Sequence, residues 1–83
     1  MHIRCVKNVR NEKIIKALGQ RIRSIRTHKQ LSMEKLAELS DIDYRQVSYV
    51  ELGQTDPSIS TLSALCKGLD ITLAELMNAE ELK

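Results

Sequence analysis

Aromatic residues are nearly missing from this chain, which has no Trp, no Phe and only two Tyr among 83 residues. A sequence this poor in rings would ordinarily bury the few it has, so where Tyr44 and Tyr49 fall is informative. Long apolar stretches are missing too. No run of 18 apolar residues occurs, and no leader with a cleavage site, so neither a membrane span nor a secretion signal is expected. Cysteine is scarce: Cys5 and Cys66 have neither metal nor redox spacing, as expected of reduced thiols in a cytoplasm. Glycine occurs three times, at 19, 53 and 68, too scattered for a phosphate loop. His2 and His28 lack a Cys/Asp/Glu cluster at ligand spacing, and no Ser sits in a nucleophile elbow. Together these absences argue against an enzyme, a metal site or a cofactor.

What is present is charge, unevenly distributed. Residues 1–31 carry nine Lys or Arg against one acid, a net +8, and residues 32–83 carry four against ten, a net −6. The chain as a whole is only +2. A basic half beside an acidic half suits a molecule with one face toward phosphate, although a solvated basic helix face has the same composition. Eighty-three residues make one domain, one that buries about 60% of its extended-chain surface.

Residues 31–53, LSMEKLAELSDIDYRQVSYVELG, predict two short amphipathic helices joined by a tight turn. Ser32 is a good N-cap and Glu34 suits the positive end of the helix dipole. Leu36, Ala37 and Leu39 are expected on the buried side of the first helix, with Ile42 in the angle between the two. Asp41 falls at the turn, where it must tolerate left-handed backbone angles. Asp43 and Gln46 have the form of a capping box for the second helix, and Gly53 closes it. At 100° per residue, Val47 and Val50 project together with Glu51 at their edge. Tyr44, Arg45, Ser48, Tyr49 and Leu52 fan across the opposite arc. Both tyrosines therefore lie on the polar side, as a contact surface or as cover for exposed apolar groups. This is the pattern of a helix-turn-helix that lays its second helix in the DNA major groove.

Before this segment, residues 1–10 (MHIRCVKNVR) form an N-terminal extension that can be a short strand, an arm or a helical turn. Residues 11–83 are read as the folded domain. Asn8 or Asn11 is a candidate cap for a first helix, whose apolar positions are Ile14, Leu18, Ile22 and Ile25. Gly19 inside that helix costs about 1 kcal/mol relative to Ala, so it marks a close approach of a helix or of a phosphate. Arg26 near the core requires a partner, and Glu51 is the candidate, joining the first helix to the helix 44–52 and fixing its tilt. After a polar loop at 54–57, Ser58 caps a helix with Ile59, Leu62, Leu65, Cys66 and Leu69 on its apolar stripe, ended by Gly68 and Asp70. Thr72 with Glu75 is a second capping box, opening a last helix through Leu73, Leu76 and Met77.

From Leu18 to Met77, about 60 of 83 residues, the sequence resembles the Cro/phage-repressor (XRE-type) helix-turn-helix family. The matching stretches are LGQRIRSIR (18–26), LSMEKLAELSDI (31–42), VSYVELG (47–53), PSISTLSALCKGLDIT (57–72) and AELM (74–77). The joint spacing of Ala37, Val47, Val50, Glu51, Gly53, Pro57 and Leu62 makes the match specific. The resemblance implies an all-α, compact five-helix bundle working as a homodimer on palindromic double-stranded DNA in a bacterial or phage cytoplasm. It implies base-edge contacts from Tyr44, Arg45 and Tyr49, and phosphate contacts from Ser32, Ser48, Gln54 and Thr55. Asp43 and Gln46 complete the expected surface. Arg26 and Glu51 match a family ion pair. Met33 stands where the family often has Gln, and Asp41 replaces the usual turn Gly. Leu73, Leu76, Met77 and Leu82 are candidates for a dimer surface or for the completion of the protomer's own core. A stand-alone transcriptional regulator is the leading expectation. An antitoxin-like protein, binding a toxin and repressing their shared operon, is the alternative.

Overall fold

The computed structural model describes residues 9–82, so the expectations for Met1–Asn8, including the state of Cys5, lie outside the described residues. Five α-helices follow one another: α1 (Glu12–His28), α2 (Met33–Ser40), α3 (Tyr44–Glu51), α4 (Ile59–Leu69) and α5 (Leu73–Met77), with a final 3-10 turn at Glu80–Leu82. No strand occurs among the described residues.

Each helix begins where a short polar side chain can bond a backbone N–H that has no intrahelical partner. Asn11 accepts from Ile14 at 3.1 Å, Ser32 from Lys35 at 3.0 Å, and Ser58 from Thr61 at 3.1 Å. At α5 the capping box is complete: Thr72 Oγ1 accepts from the Glu75 N–H at 3.0 Å, and Glu75 Oε1 accepts from the Thr72 N–H at 2.7 Å. The box expected at α3 does not form. Asp43 bonds the N–H of the second helical residue, Arg45, at 2.7 Å instead of that of Gln46. Four helices end in left-handed residues: Gln30 (φ 61°) after α1, Asp41 (φ 57°) after α2, Gly53 (φ 71°) after α3 and Asp70 (φ 57°) after α4.

The core is aliphatic throughout. Leu18, Ile22, Leu36, Ala37, Val47, Val50, Leu62, Leu65, Cys66, Leu69 and Leu76 form one cluster, roofed by half-buried Ile25, Leu31, Met33, Ile42, Ile71, Met77 and Leu82. Each of its larger members contributes about 1.5–3 kcal/mol by leaving water. Burial pushes the Cys66 thiol above its ordinary pKa, in keeping with a side chain that fills space.

Several expected core positions are corrected. Ile15, at 5% exposure, points inward in place of Ile14, at 38%, because the helix is phased by Leu18, Gly19 and Ile22. Leu39 and Ile59 are exposed, lying beyond the arc that α2 and α4 turn toward each other. Gly68 does not end α4. It is buried inside the helix, where an added Cβ would stand 2.1 Å from the Ser40 Oγ, so it lets α2 and α4 approach closely. Leu76 is fully buried in the protomer's own core and therefore unavailable to a second copy. Arg21 ties this end of the chain to α1, donating to the carbonyls of Glu75 at 2.8 Å and Leu76 at 3.1 Å.

Candidate nucleic-acid interface

Helix α3 is fixed from behind. Val47 and Val50 insert into the core, and Gly19 of α1 lies directly against its last turn: a Cβ there would meet the Val50 carbonyl at 2.3 Å and the Glu51 carbonyl at 2.8 Å. Of the two approaches open to Gly19, helix against helix is the one observed.

The ion pair between α1 and α3 sets the remaining degree of freedom. Arg26 Nε donates to Glu51 Oε2 at 2.6 Å, Nη2 to Oε1 at 3.0 Å, and Nη1 to the Leu31 carbonyl at 2.7 Å. The side chains are 11% and 4% exposed. The Glu51 hydrogen bonds raise the Arg26 pKa, against the opposing effect of burial, so the guanidinium stays charged. One guanidinium thus holds the end of α3 and the residue preceding the α2 cap together, fixing the angle between the two short helices.

That leaves the opposite arc of α3 facing outward. Tyr44 is 42% and Tyr49 49% exposed, and Asp43, Arg45, Gln46 and Leu52 are exposed beside them, with Ser48 half-buried. Two clefts flank the helix. One, of about 260 Å³, lies toward the start of α4 and brings Gln46, Tyr49 and Thr55 together with Ser58 and Thr61. The other, of about 130 Å³, lies toward α1 and α2 and brings Met33 and Ser48 together with Arg23, Arg26 and Leu52. Ser32 sits at the exposed start of α2 with its Oγ already bonded to the Lys35 N–H. Gln54 is exposed just past α3 and lines neither cleft, its N–H bonded to the Tyr49 carbonyl at 2.9 Å.

Asp43 and Arg45 are coupled. Asp43 Oδ1 accepts from the Arg45 N–H at 2.7 Å and lies 3.4 Å from Arg45 Nε. The first of these bonds, then the second, holds the Asp43 carboxyl below the usual carboxylate range. Arg23 went unassigned in the sequence. Arg26 is occupied by Glu51, so Arg23 is the cation in the smaller cleft that remains available to an anion. The signal for it was its spacing: Arg23 and Arg26 are three apart on one helix and share a face.

A stripe of neutral and cationic donors on a protruding helix, with shallow polar clefts on both sides, can bond acceptors on a grooved anionic partner. Among the described residues no group of three or more His, Cys, Asp or Glu is placed to hold a metal ion. No described helix is long and apolar enough to cross a membrane.

Comparison with known proteins points the same way. The helix-turn-helix family profile matches residues 22–76. The chain is 35% identical over 65 residues to the HTH-type transcriptional regulator PuuR of Escherichia coli, covering 78% of this chain but only 35% of that regulator. It thus spans about a third of PuuR's length. The crystal structure of the restriction-modification controller protein C.AhdI from Aeromonas hydrophila is similar over almost its whole length: 42% identity, TM-score 0.73, 80% of this chain and 98% of that one. The controller protein C.Esp1396I, solved as a tetramer with its natural 35 base-pair operator, matches at TM-score 0.73 and 25% identity over 76% of this chain and 83% of its own.

Proposed function

The chain belongs to the helix-turn-helix family of Cro- and phage-repressor-like proteins, and from that premise we propose that it is a sequence-specific regulator of transcription that binds double-stranded DNA. It acts without catalysis, as a homodimer in a bacterial or phage cytoplasm. The observation that carries this reading is the outward arc of α3. Both of the chain's aromatic rings stand on it at the solvent surface, although an aromatic-poor core had every reason to take them in.

In this reading Arg45 bonds the O6 and N7 of a guanine, and Tyr44 and Tyr49 meet thymine methyls with their rings and acceptors with their hydroxyls. Gln46 and Asp43 lie at the same groove edge. Ser32, Ser48, Gln54 and Thr55 contact phosphates, and Met33 packs beneath Ser48 without offering a donor. Arg23 adds a phosphate contact from the cleft between α1 and α3. The phosphate contacts give affinity without sequence preference, and the base edges give preference. Two copies related by a dyad place their α3 helices about 34 Å apart, one turn of DNA. The copies meet at the α5 end, where Leu73 is exposed and Met77 and Leu82 are half-buried at the rim.

The test is selection of bound sequences from random duplex DNA at two salt concentrations. A consensus with dyad symmetry, bound far more weakly at the higher salt, is expected. Retention of unrelated sequences only, or no retention of duplex at low salt, contradicts the reading.

A further inference from the structure

An exposed arginine on a DNA-facing helix has two competing uses. It can bond a guanine edge, or it can swing to a phosphate, where it adds affinity for every sequence. Its side chain is long enough for both, so something must restrict it if it is to discriminate. Beside Arg45 the structure holds such a restraint. Asp43 is locked in place as the N-cap of α3, its Oδ1 accepting the Arg45 N–H at 2.7 Å, and the same oxygen stands 3.4 Å from Arg45 Nε. Nε is the one donor on the guanidinium that lies on its inner side. With Nε turned to the carboxylate, the two Nη groups are left at the outer end.

We propose that Asp43 is a positioning residue that sets the base preference of this module: it holds Arg45 through Nε so that both Nη groups meet the O6 and N7 of one guanine end-on. The proposal rests on the assignment of α3 as the helix that reads DNA. Its physical content is twofold. The carboxylate pre-orders a flexible side chain, which lowers the entropy lost on binding the right base. Its negative charge also draws Arg45 back from the phosphates and is itself repelled by them, so the arginine's sequence-independent contribution is suppressed. An adenine at the same place presents an amino group next to N7, which a guanidinium held end-on cannot accept. The signal is specific to this pair, because Ser32 and Ser58 cap their helices by bonding the third helical N–H without touching any cation.

Asp43→Asn separates this role from a merely structural one. Asn caps a helix about as well as Asp does, so the bond to the Arg45 N–H is retained and the protein stays folded while the charge is lost. Sequence selection is run in parallel on the full-length wild type, Asp43→Asn, Arg45→Ala and the double variant. In Asp43→Asn the preference for guanine at the Arg45 base pair falls by roughly fivefold or more. Binding to unrelated duplexes at low salt tightens at the same time. In the Arg45→Ala background, Asp43→Asn changes base preference no further. The proposal is overturned if Asp43→Asn keeps the full guanine preference, or if its effect is as large without Arg45. It is also overturned if the base pair that responds to Arg45→Ala is not guanine. A wild type that selects no consensus at all is a different outcome, since it removes the DNA-reading assignment of α3 from which this proposal starts.

Discussion

Gly19→Ala sets two effects of known size against each other. Ala is better than Gly inside a helix by about 1 kcal/mol, so at an open position the change stabilises. Position 19 is not open. Its new Cβ would stand 2.3 Å from the Val50 carbonyl oxygen, 2.8 Å from the Glu51 oxygen and 3.0 Å from the Glu51 carbon, all backbone atoms of α3. None of these can rotate away as a side chain would, so α1 and α3 must separate by roughly 1 Å to restore ordinary contact. Overpacking of this kind costs about 1–3 kcal/mol. Two turns along α1, Arg26 would have to follow Glu51 or lose its two-point contact, which adds to the loss. The steric effect outweighs the propensity gain, and the net result is destabilisation by about 1–2 kcal/mol. For a domain of this size the unfolding midpoint falls by about 4–15 °C. Because α3 is the element displaced, base preference weakens along with stability. The assay is thermal unfolding by circular dichroism beside fluorescence anisotropy with a fixed duplex. Gln20→Ala, at an exposed neighbour in the same helix, serves as the control for propensity alone. A Gly19→Ala protein that unfolds at or above the wild-type midpoint with intact affinity refutes this seating of α3 against α1.

Four further outcomes are expected. Glu51→Ala leaves the Arg26 guanidinium nearly buried without its partner, a loss of about 3–5 kcal/mol that is visible in denaturant titration; an unchanged midpoint would show that the pair does not carry α3. Arg23→Gln weakens binding to all duplexes alike and reduces the slope of log K against log salt by about one, whereas Arg45→Ala acts on one base pair. Ser40→Ala raises the unfolding midpoint, because the Ser40 Oγ is buried without a hydrogen-bond partner and its removal relieves that cost of about 1–3 kcal/mol. Asp43 and Glu75 both titrate below the ordinary carboxylate range, chiefly through backbone N–H bonds at helix starts. Because the folded pKa is lowered, their stabilisation is complete above the unfolded values of about 3.9 and 4.3 and is lost as pH falls through the folded ones. Unfolding midpoints measured across this acid range should drop less steeply in Asp43→Asn/Glu75→Gln than in wild type.

Much of the fold was legible in the sequence because helix caps are local chemistry. Ser32, Ser58 and Thr72 do what their side chains favour wherever three unpaired N–H groups follow. Asp41 could be placed at a turn for the same reason. Helix phase was harder where two apolar residues are adjacent. Ile14 and Ile15 both fit a helical stripe, and only the contact of Gly19 with α3, distant in sequence, chooses between them. Leu39 and Ile59 look like core by residue type, yet how wide an arc each helix buries depends on its neighbours. Gly68 reads as a helix terminator because nothing local reveals that Ser40 lies against it. The outward arc of α3 was readable from period and polarity, and the Arg26–Glu51 pair from the cost of an unpaired buried charge. For Arg23 the spacing showed only a face shared with Arg26, and its place in a cleft with Met33 and Ser48 is created by packing between α1, α2 and α3. The link from Asp43 to Arg45 was not readable, since it follows from the cap bonding the second helical N–H instead of the third.

In the proposed complex one surface, the start of α2 with the outer arc of α3, meets the DNA groove. Titrating isotope-labelled protein with its selected duplex and following each backbone amide tests this directly. The largest shifts are expected at residues 32–33, 43–49 and 54–55, with the α4 amides at 62–69 nearly unmoved. Shifts centred on α4, or amides at 43–49 that stay still at saturating DNA, would contradict it.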